Sequence, residues 1–257
     1  MNSGSKRLHL LDAYRGFVVL VMIAYHFCYD LFVIFKGQNS WIYDPRVFAW
    51  EQYICISFIF LSGFVWNLSN KKSFKRGLIV SLLGILVTFV TFIFDPSIAI
   101  YYGVLFLIGA SMLFMVPLSK ILDRFPPLPV FLLSLLLFFI TYSIPSGYLG
   151  FYRLRLFKLP DCLYNHKLLI PFGFPTPDFT SSDYFPLIPW LFLYISGYGF
   201  CRLLQTTGVL YREKFLKCVS TRIPFLDFIG KHSLTFYILH QPLCYVLLLA
   251  AYNYSSS

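Results

Sequence analysis

The chain has 257 residues, of which 58% are apolar, 21% are aromatic and only 12% are charged. In a soluble domain about a quarter of all residues are charged, so this composition excludes an ordinary soluble protein. The formal net charge of +10 does not indicate nucleic-acid binding, because the lysines and arginines lie mostly in short connectors between apolar blocks. Basic connectors of that kind encode membrane topology.

Seven apolar blocks predict the fold. A run of about 18 or more apolar residues with few charges is typical of a membrane helix. We therefore expect an all-α membrane protein, a polytopic bundle of about seven transmembrane helices that forms a single domain over residues 1–257. The predicted spans are residues 13–35, 47–69, 77–95, 98–118, 128–145, 185–204 and 232–251.

The basic residues predict the orientation of the bundle. With the N-terminus in the cytoplasm, 15 of the 21 lysines and arginines fall in cytoplasmic segments. Because cytoplasmic loops carry the excess of basic residues, we expect a multi-pass protein of the cell membrane with its N-terminus inside and its C-terminus outside. Of the two long connectors, residues 146–184 would lie outside and the basic residues 205–231 inside. A connector as long as 146–184 is often functional, and an interfacial lid without chemistry is the alternative.

The first span and the residue just before it contain two carboxyl groups, a guanidinium and an imidazole, from Asp12, Arg15, His26 and Asp30. Such groups are costly inside a bilayer and usually face the protein interior or a water-filled cavity. Arg15 and His26 are separated by about three helical turns, so they share one face about 16 Å apart.

His26 and Asp30 are spaced as neighbours on a helix. A carboxylate beside an imidazole can fix its tautomer and raise its basicity, which activates a hydroxyl or amine nucleophile. The spacing therefore predicts a catalytic pair, with a structural pair that stabilises helix packing as the alternative.

Several motifs occur in order along the chain, and together they resemble a known family. The first comprises Leu11-Asp12-Ala13-Tyr14-Arg15-Gly16 followed by His26-Phe27-Cys28-Tyr29-Asp30. The others are Phe60-Leu61-Ser62-Gly63, Tyr102-Gly103-Val104-Leu105, Asp183-Tyr184-Phe185-Pro186-Leu187, and Gly230-Lys231-His232-Ser233-Leu234 with His240-Gln241-Pro242. This set resembles small bacterial-type members of the heparan-alpha-glucosaminide N-acetyltransferase catalytic-domain family, within the wider membrane acyltransferase-3 group.

The resemblance implies an acetyltransferase that moves an acetyl or short acyl group from acetyl-CoA to a sugar amine or hydroxyl. It also implies that His26 matches the catalytic histidine of the acyltransferase-3 pattern and that Arg15 matches its partner. The implied partners are the lipid bilayer, acyl-CoA and a glycan or other amine or hydroxyl acceptor, and association into a homo-oligomer stays open.

Further candidates follow from position. Basic side chains suit the phosphates of coenzyme A, and ordinary membrane topology is the alternative explanation for them. In the last span Pro242 should kink the helix beside a polar pair and help to open a cavity. The donor-binding candidates are Arg15, Lys71, Lys72, Arg76 and Lys231, and the acceptor-binding candidates are Glu51, Asp183, Trp190, His240 and Gln241. The alternative for His240 is a packed histidine that bonds a neighbouring helix, and the alternative for Glu51 and Asp183 is simple interfacial solvation.

The cysteines form no CxxC pair, so we expect neither a metal site nor a disulfide framework.

Two function classes stay open. A proton-coupled transporter or channel would use the polar face of the first helix as its path. The ordered motifs favour the enzyme, and we find no internal repeat of the kind many transporters have.

Overall fold

A computed structural model describes residues 8–69, 73–213 and 219–255. Within these ranges, seven helices are long and apolar enough to cross a membrane, which confirms the predicted all-α membrane fold. The helices and strands are α1 His9–Tyr29, α2 Pro45–Leu68, α3 Ser73–Phe94, α4 Val104–Leu122, α5 Pro127–Thr141, β1 Tyr148–Phe151, β2 Leu154–Lys158, α6 Leu187–Thr206, α7 Pro224–Lys231 and α8 Ser233–Ser255.

The fourth span begins later than its hydropathy suggests. The predicted span 98–118 starts in irregular chain, and α4 begins only at Val104. The Asp95 side chain accepts a hydrogen bond from the backbone of Ser97, which forms a short turn. Tyr102 then has a positive φ of 56°, a conformation that ends regular structure for a residue with a side chain.

The chain divides into two compact units. The first comprises Met1–Phe58 and Gly208–Ser257, and the second comprises Ile59–Thr207. The prediction of a single membrane domain stays a prediction. The core of the first unit is a cluster of buried side chains from α1 and α2, namely Val18, Met22, Tyr25, Val47 and Ile54.

In the first unit, α1 and α7 are in backbone contact. A methyl group added to Gly16 would lie 2.1 Å from the carbonyl oxygen of Leu226, and one on Gly230 would lie 1.8 Å from that of Asp12. Each glycine thus opens the space that the partner helix occupies, as small residues do at membrane helix interfaces. The connector 205–231 therefore contains a packed helix, which the sequence did not predict.

The second unit uses the same device between α2 and α6. A methyl group on Gly63 would lie 1.9 Å from the carbonyl oxygen of Tyr194, and one on Gly197 would lie 2.1 Å from that of Phe60. Because the two glycines are reciprocal, neither helix tolerates a larger side chain at this crossing. This packing gives a physical reason for the glycine of the Phe60-Leu61-Ser62-Gly63 motif.

The connector 146–184 is folded. It contains the antiparallel hairpin of β1 and β2, which the sequence did not predict. The rest is held by side-chain hydroxyls that donate to backbone carbonyls, from Tyr164 to Ile144 and from Tyr184 to Ile170, each at 2.5 Å. Burial raises the pKa of both tyrosines, which keeps the hydroxyls protonated as donors.

Candidate active site

The polar stripe of the first span lies on one unbroken helix up to Tyr29. Directly after it, the six residues Asp30–Phe35 form a π-helical segment. π-Helical segments are rare in proteins, and those that occur often lie at functional sites. Asp30, the first residue of the segment, has no exposed surface in the structure. A charged group at this depth needs a polar partner from within the protein.

The partner of Asp30 comes from the last helix. The Nε2 amide of Gln241 donates a hydrogen bond to Asp30 Oδ1 at 2.7 Å. The structure gives Asp30 this side-chain bond and none to His26, although the two were expected to interact directly. The backbone N–H of Asp30 still makes the α-helical hydrogen bond to the His26 carbonyl, so the competing Gln241 amide accounts for the difference. Asp30 therefore ties α1 to α8 beside His26.

Two imidazoles from the same two ends of the chain also meet. The ring centroids of His26 and His240 lie 4.7 Å apart, with the planes inclined by 59°. His240 is 7% exposed, and its Nδ1 lies 2.6 Å from the backbone oxygen of Tyr237. Because a carbonyl oxygen only accepts, Nδ1 carries the proton, and Nε2 of the neutral ring is a hydrogen-bond acceptor.

Three acceptor atoms in this cluster have no hydrogen-bond partner among the described residues. They are His240 Nε2, Asp30 Oδ2 and Gln241 Oε1, and all three atoms are buried. Buried polar atoms in proteins are usually paired, so an unpaired group of them needs an explanation. A substrate that carries N–H or O–H groups would supply the missing donors.

Aromatic side chains line the site within the first unit. The Tyr25 ring packs edge-on against His26 at 5.4 Å and against Trp50 at 5.6 Å. The Tyr25 hydroxyl also approaches Glu51 Oε2 at 3.5 Å, a contact longer than a typical O–H···O hydrogen bond. Glu51, a predicted acceptor-binding residue, is thus linked to the imidazole pair through Tyr25.

Two predicted donor-binding residues lie where α1 and α7 touch. Arg15 precedes Gly16 and Lys231 follows Gly230, and a methyl group on Gly230 would lie 3.1 Å from the backbone nitrogen of Gly16. The Arg15 guanidinium lies 3.3 Å from an Asp12 carboxylate oxygen, and Lys231 is exposed. The α1–α7 contact therefore brings both cationic residues to the same end of α1.

Asp183 has a structural position in the second unit. Its Oδ2 accepts a hydrogen bond from the backbone N–H of Val104 at 3.4 Å, at the first residue of α4. A methyl group on Gly103 would lie 3.0 Å from the same oxygen. A carboxylate at a helix N-terminus is stabilised by the helix dipole. The Tyr102-Gly103 and Asp183-Tyr184 motifs thus form one contact, and a role of Asp183 in acceptor binding stays a prediction.

Of the other predicted residues, Trp190 and Arg76 belong to the second unit. Trp190 is 6% exposed and packs against Phe138 at 5.4 Å and Phe185 at 5.0 Å. Arg76 is exposed near the start of α3. Lys71 and Lys72 lie outside the described residues. The roles proposed for these four residues stay predictions.

Sequence reasoning missed two contributors to the site. The Tyr237 carbonyl fixes the tautomer of His240, and Tyr25 connects His26 to Glu51. The first depends on a side-chain rotamer, for which the sequence has no signal. The second had one signal, since Tyr25 directly precedes His26.

Comparison with known families adds an independent finding. The family model described as "Heparan-alpha-glucosaminide N-acetyltransferase, catalytic" matches residues 7–242. No curated protein and no solved structure matches the chain. The matched stretch includes both imidazoles and the Asp30–Gln241 hydrogen bond.

Proposed function

The chain belongs to the heparan-alpha-glucosaminide N-acetyltransferase catalytic family, and from this we propose that it transfers an acetyl group from cytoplasmic acetyl-CoA to an amine or hydroxyl of a sugar acceptor. Seven apolar helices make it a multi-pass membrane protein of an acetyltransferase family. The acceptor reaches the site from the outer side. The observation that carries the proposal is the pair of adjacent imidazoles, His26 and His240, inside the first unit.

His26 is the general base of this proposal. Its imidazole takes a proton from the acceptor amine or hydroxyl as that group attacks the thioester carbonyl carbon. The carbon–sulfur bond then breaks, and the thiolate of coenzyme A takes the proton from the imidazolium of His26. Proton transfer by a positioned histidine typically accelerates a reaction by about 10²–10⁴-fold.

His240 supports this step. Its Nδ1–H is held by the Tyr237 carbonyl, so its Nε2 lone pair is fixed in direction beside His26. It accepts a second hydrogen bond from the acceptor and thereby orients the nucleophile. Orientation of a reacting group lowers the barrier because the entropy of alignment is lost before the reaction.

Asp30 and Gln241 are positioning residues in this account. Their hydrogen bond joins the end of α1 to α8, four residues after His26 and one residue after His240. It therefore holds the rings at their observed separation. Glu51 contacts the hydroxyl of Tyr25, whereas His26 contacts the ring of the same tyrosine. Glu51 is therefore a candidate to bind a polar group of the acceptor.

The cationic end of α1 is the proposed donor site. Arg15 and Lys231 flank the glycines at which α1 meets α7, and coenzyme A carries phosphates that such side chains bind. Lys71, Lys72 and Arg76 stay donor-binding candidates from the sequence. The rise of a helix places Arg15 about 16 Å from His26, so the donor must extend along α1 to reach the base.

A direct experiment tests the function. The full-length protein in lipid nanodiscs would be given acetyl-CoA together with one of three acceptors. These are an amino sugar, the same sugar with its amine blocked, and a simple amine. Coenzyme A release that depends on an acceptor is the expected result. Arg15→Ala should weaken coenzyme A binding in protein that still folds, and Arg46→Ala, predicted to lie on the opposite side, is the matched control.

A proton-coupled transporter or channel is the second candidate, favoured only by the buried polar groups that α1 and α8 bring together. The same protein in proteoliposomes distinguishes the two. A proton flux without coenzyme A binding or acetyl transfer would reject the enzyme, and acceptor-dependent acetyl transfer would reject a purely transporting role.

A further inference from the structure

The β-hairpin directly follows the fifth membrane span, which the structure bounds at Pro127–Ser146. Its first strand packs on the end of α5. The Phe151 ring lies 5.0 Å from that of Phe139 and 4.8 Å from that of Tyr142. This contact fixes the hairpin at the level where α5 ends, so the hairpin lies at the boundary between a membrane span and the aqueous phase.

A β-bulge gives the hairpin two chemically different faces. Gly150 pairs with Arg155 and Leu149 pairs with Phe157, so Leu156 is an extra residue on β2. A bulge resets the alternation of side chains along the strand that contains it. One face then holds only apolar side chains, from Leu149, Phe151, Leu154 and Phe157.

Gly150 is required for this arrangement. Its φ is +136°, and a methyl group at this position would lie 1.9 Å from the carbonyl oxygen of Leu154. Only glycine adopts such a backbone and permits such an approach. The bulge is therefore a property built into the sequence of this hairpin.

The opposite face is basic. The Arg155 guanidinium lies 4.5 Å from the centroid of the Tyr148 ring, which places both side chains on the same face. Lys158 shares that face through its pairing with Tyr148. The hydrogen bond from Lys158 to Asp161 raises the pKa of the lysine, so it stays charged at neutral pH. Arg153 extends from the turn over the ring of Tyr152 at 5.5 Å.

The apolar face is strongly exposed within the structure. Phe157 is 68% exposed and Leu154 is 63% exposed. This face continues into the surface of α5 through Phe139, which is itself 42% exposed on a membrane span. Exposed apolar surface of this kind marks a membrane or protein contact, and its continuity with a lipid-facing helix favours the membrane.

We propose that the hairpin lies in the membrane interface, with its apolar face on the acyl chains and with Arg153 and Arg155 bound to the headgroups of anionic phospholipids. Each arginine near an anionic membrane surface raises the affinity for that surface roughly fivefold. The hairpin would thus be a lipid-binding element of the leaflet that α5 reaches. This inference does not depend on the acetyltransferase reaction.

The depth of the apolar face is tested by photo-crosslinking in nanodiscs. The photoreactive amino acid benzoylphenylalanine would replace Phe157 on the apolar face or Arg155 on the basic face. The proposal expects the first variant to crosslink to phospholipid acyl chains, and the second to do so much less. Equal crosslinking from both positions, or none from position 157, would overturn it.

The headgroup preference is tested by lipid retention. Full-length protein extracted from membranes that contain phosphatidylglycerol and phosphatidylcholine would be analysed by native mass spectrometry. Arg153→Gln with Arg155→Gln should lower retained phosphatidylglycerol at least tenfold relative to phosphatidylcholine. Lys167→Gln, an exposed cation of the same connector, is the matched control and should change it little. An unchanged ratio of phosphatidylglycerol to phosphatidylcholine would contradict the proposal. Binding of a sulfated polysaccharide by these arginines in place of phospholipid would also contradict it.

Discussion

The imidazole rings of His26 and His240 lie 4.7 Å apart, although one belongs to the first membrane helix and the other to the last. A hydrogen bond of 2.7 Å between Gln241 and Asp30 also joins the last helix to the end of the first. Both pairs lie inside the first compact unit, which combines the two ends of the chain. The first and last helices therefore form one polar centre.

Loss of the second imidazole should impair turnover without preventing donor binding. His240→Ala removes the fixed Nε2 acceptor, so we expect the turnover number to fall at least tenfold, while coenzyme A affinity stays within about twofold of wild type. Steady-state kinetics with calorimetric binding would measure both. His166→Ala is the control, since it removes an exposed imidazole that belongs to neither the donor site nor the imidazole pair. Normal turnover in the folded His240→Ala protein would exclude His240 from the reaction.

The Asp30–Gln241 bond should be seen in stability as well as in rate. Asp30→Asn keeps an oxygen that accepts from Gln241, so we expect a mild loss of turnover and little change in thermal stability. Asp30→Ala leaves the buried Gln241 amide unpaired and should cost about 1–3 kcal/mol. A double-mutant cycle with Gln241→Leu would measure the coupling between the two residues. Additive effects of the two substitutions would show that the hydrogen bond contributes no stability.

The contact between α1 and α7 should not accept a methyl group. Gly16→Ala or Gly230→Ala would place Cβ 2.1 Å or 1.8 Å from a backbone oxygen of the other helix. Because backbone must move to relieve such overlap, we expect a loss of about 1–3 kcal/mol in unfolding free energy and weaker coenzyme A binding. Ala24→Leu adds volume at an exposed position of α1 and should be well tolerated. A thermal-unfolding series compares the three variants, and full stability of both glycine variants would refute the close contact.

The orientation of the chain is a separate prediction. Fifteen of the 21 lysines and arginines lie on the side assigned to the cytoplasm. A reporter fused after residue 72 should therefore be cytoplasmic, and one inserted within residues 160–180 should lie outside. Paired activity reporters for the two compartments would measure this, and the same location for both insertions would reject the topology.

The sequence predicted those features that depend on local periodicity. The seven spans follow from hydropathy, and α1 is continuous over Arg15 and His26, as their shared stripe requires. It did not predict that Asp30 would bond to Gln241, because a partner from the other end of the chain determines that contact. The cap that Asp183 provides for α4 is likewise a long-range contact. Local spacing identifies polar residues that share a helix face, and packing between distant segments selects their partners.

The central claim is that His26 takes a proton from the acceptor during acetyl transfer. The most direct test is the turnover of His26→Ala per folded molecule, normalised by coenzyme A binding, over a range of pH. Wild-type turnover should fall at acidic pH, where a protonated imidazole no longer accepts a proton. The variant should bind coenzyme A nearly as wild type does and lose about a hundredfold or more in turnover, together with that pH dependence. If His26 only packs the helix, the folded fraction of the variant would be less stable but fully active, and that result would contradict the account.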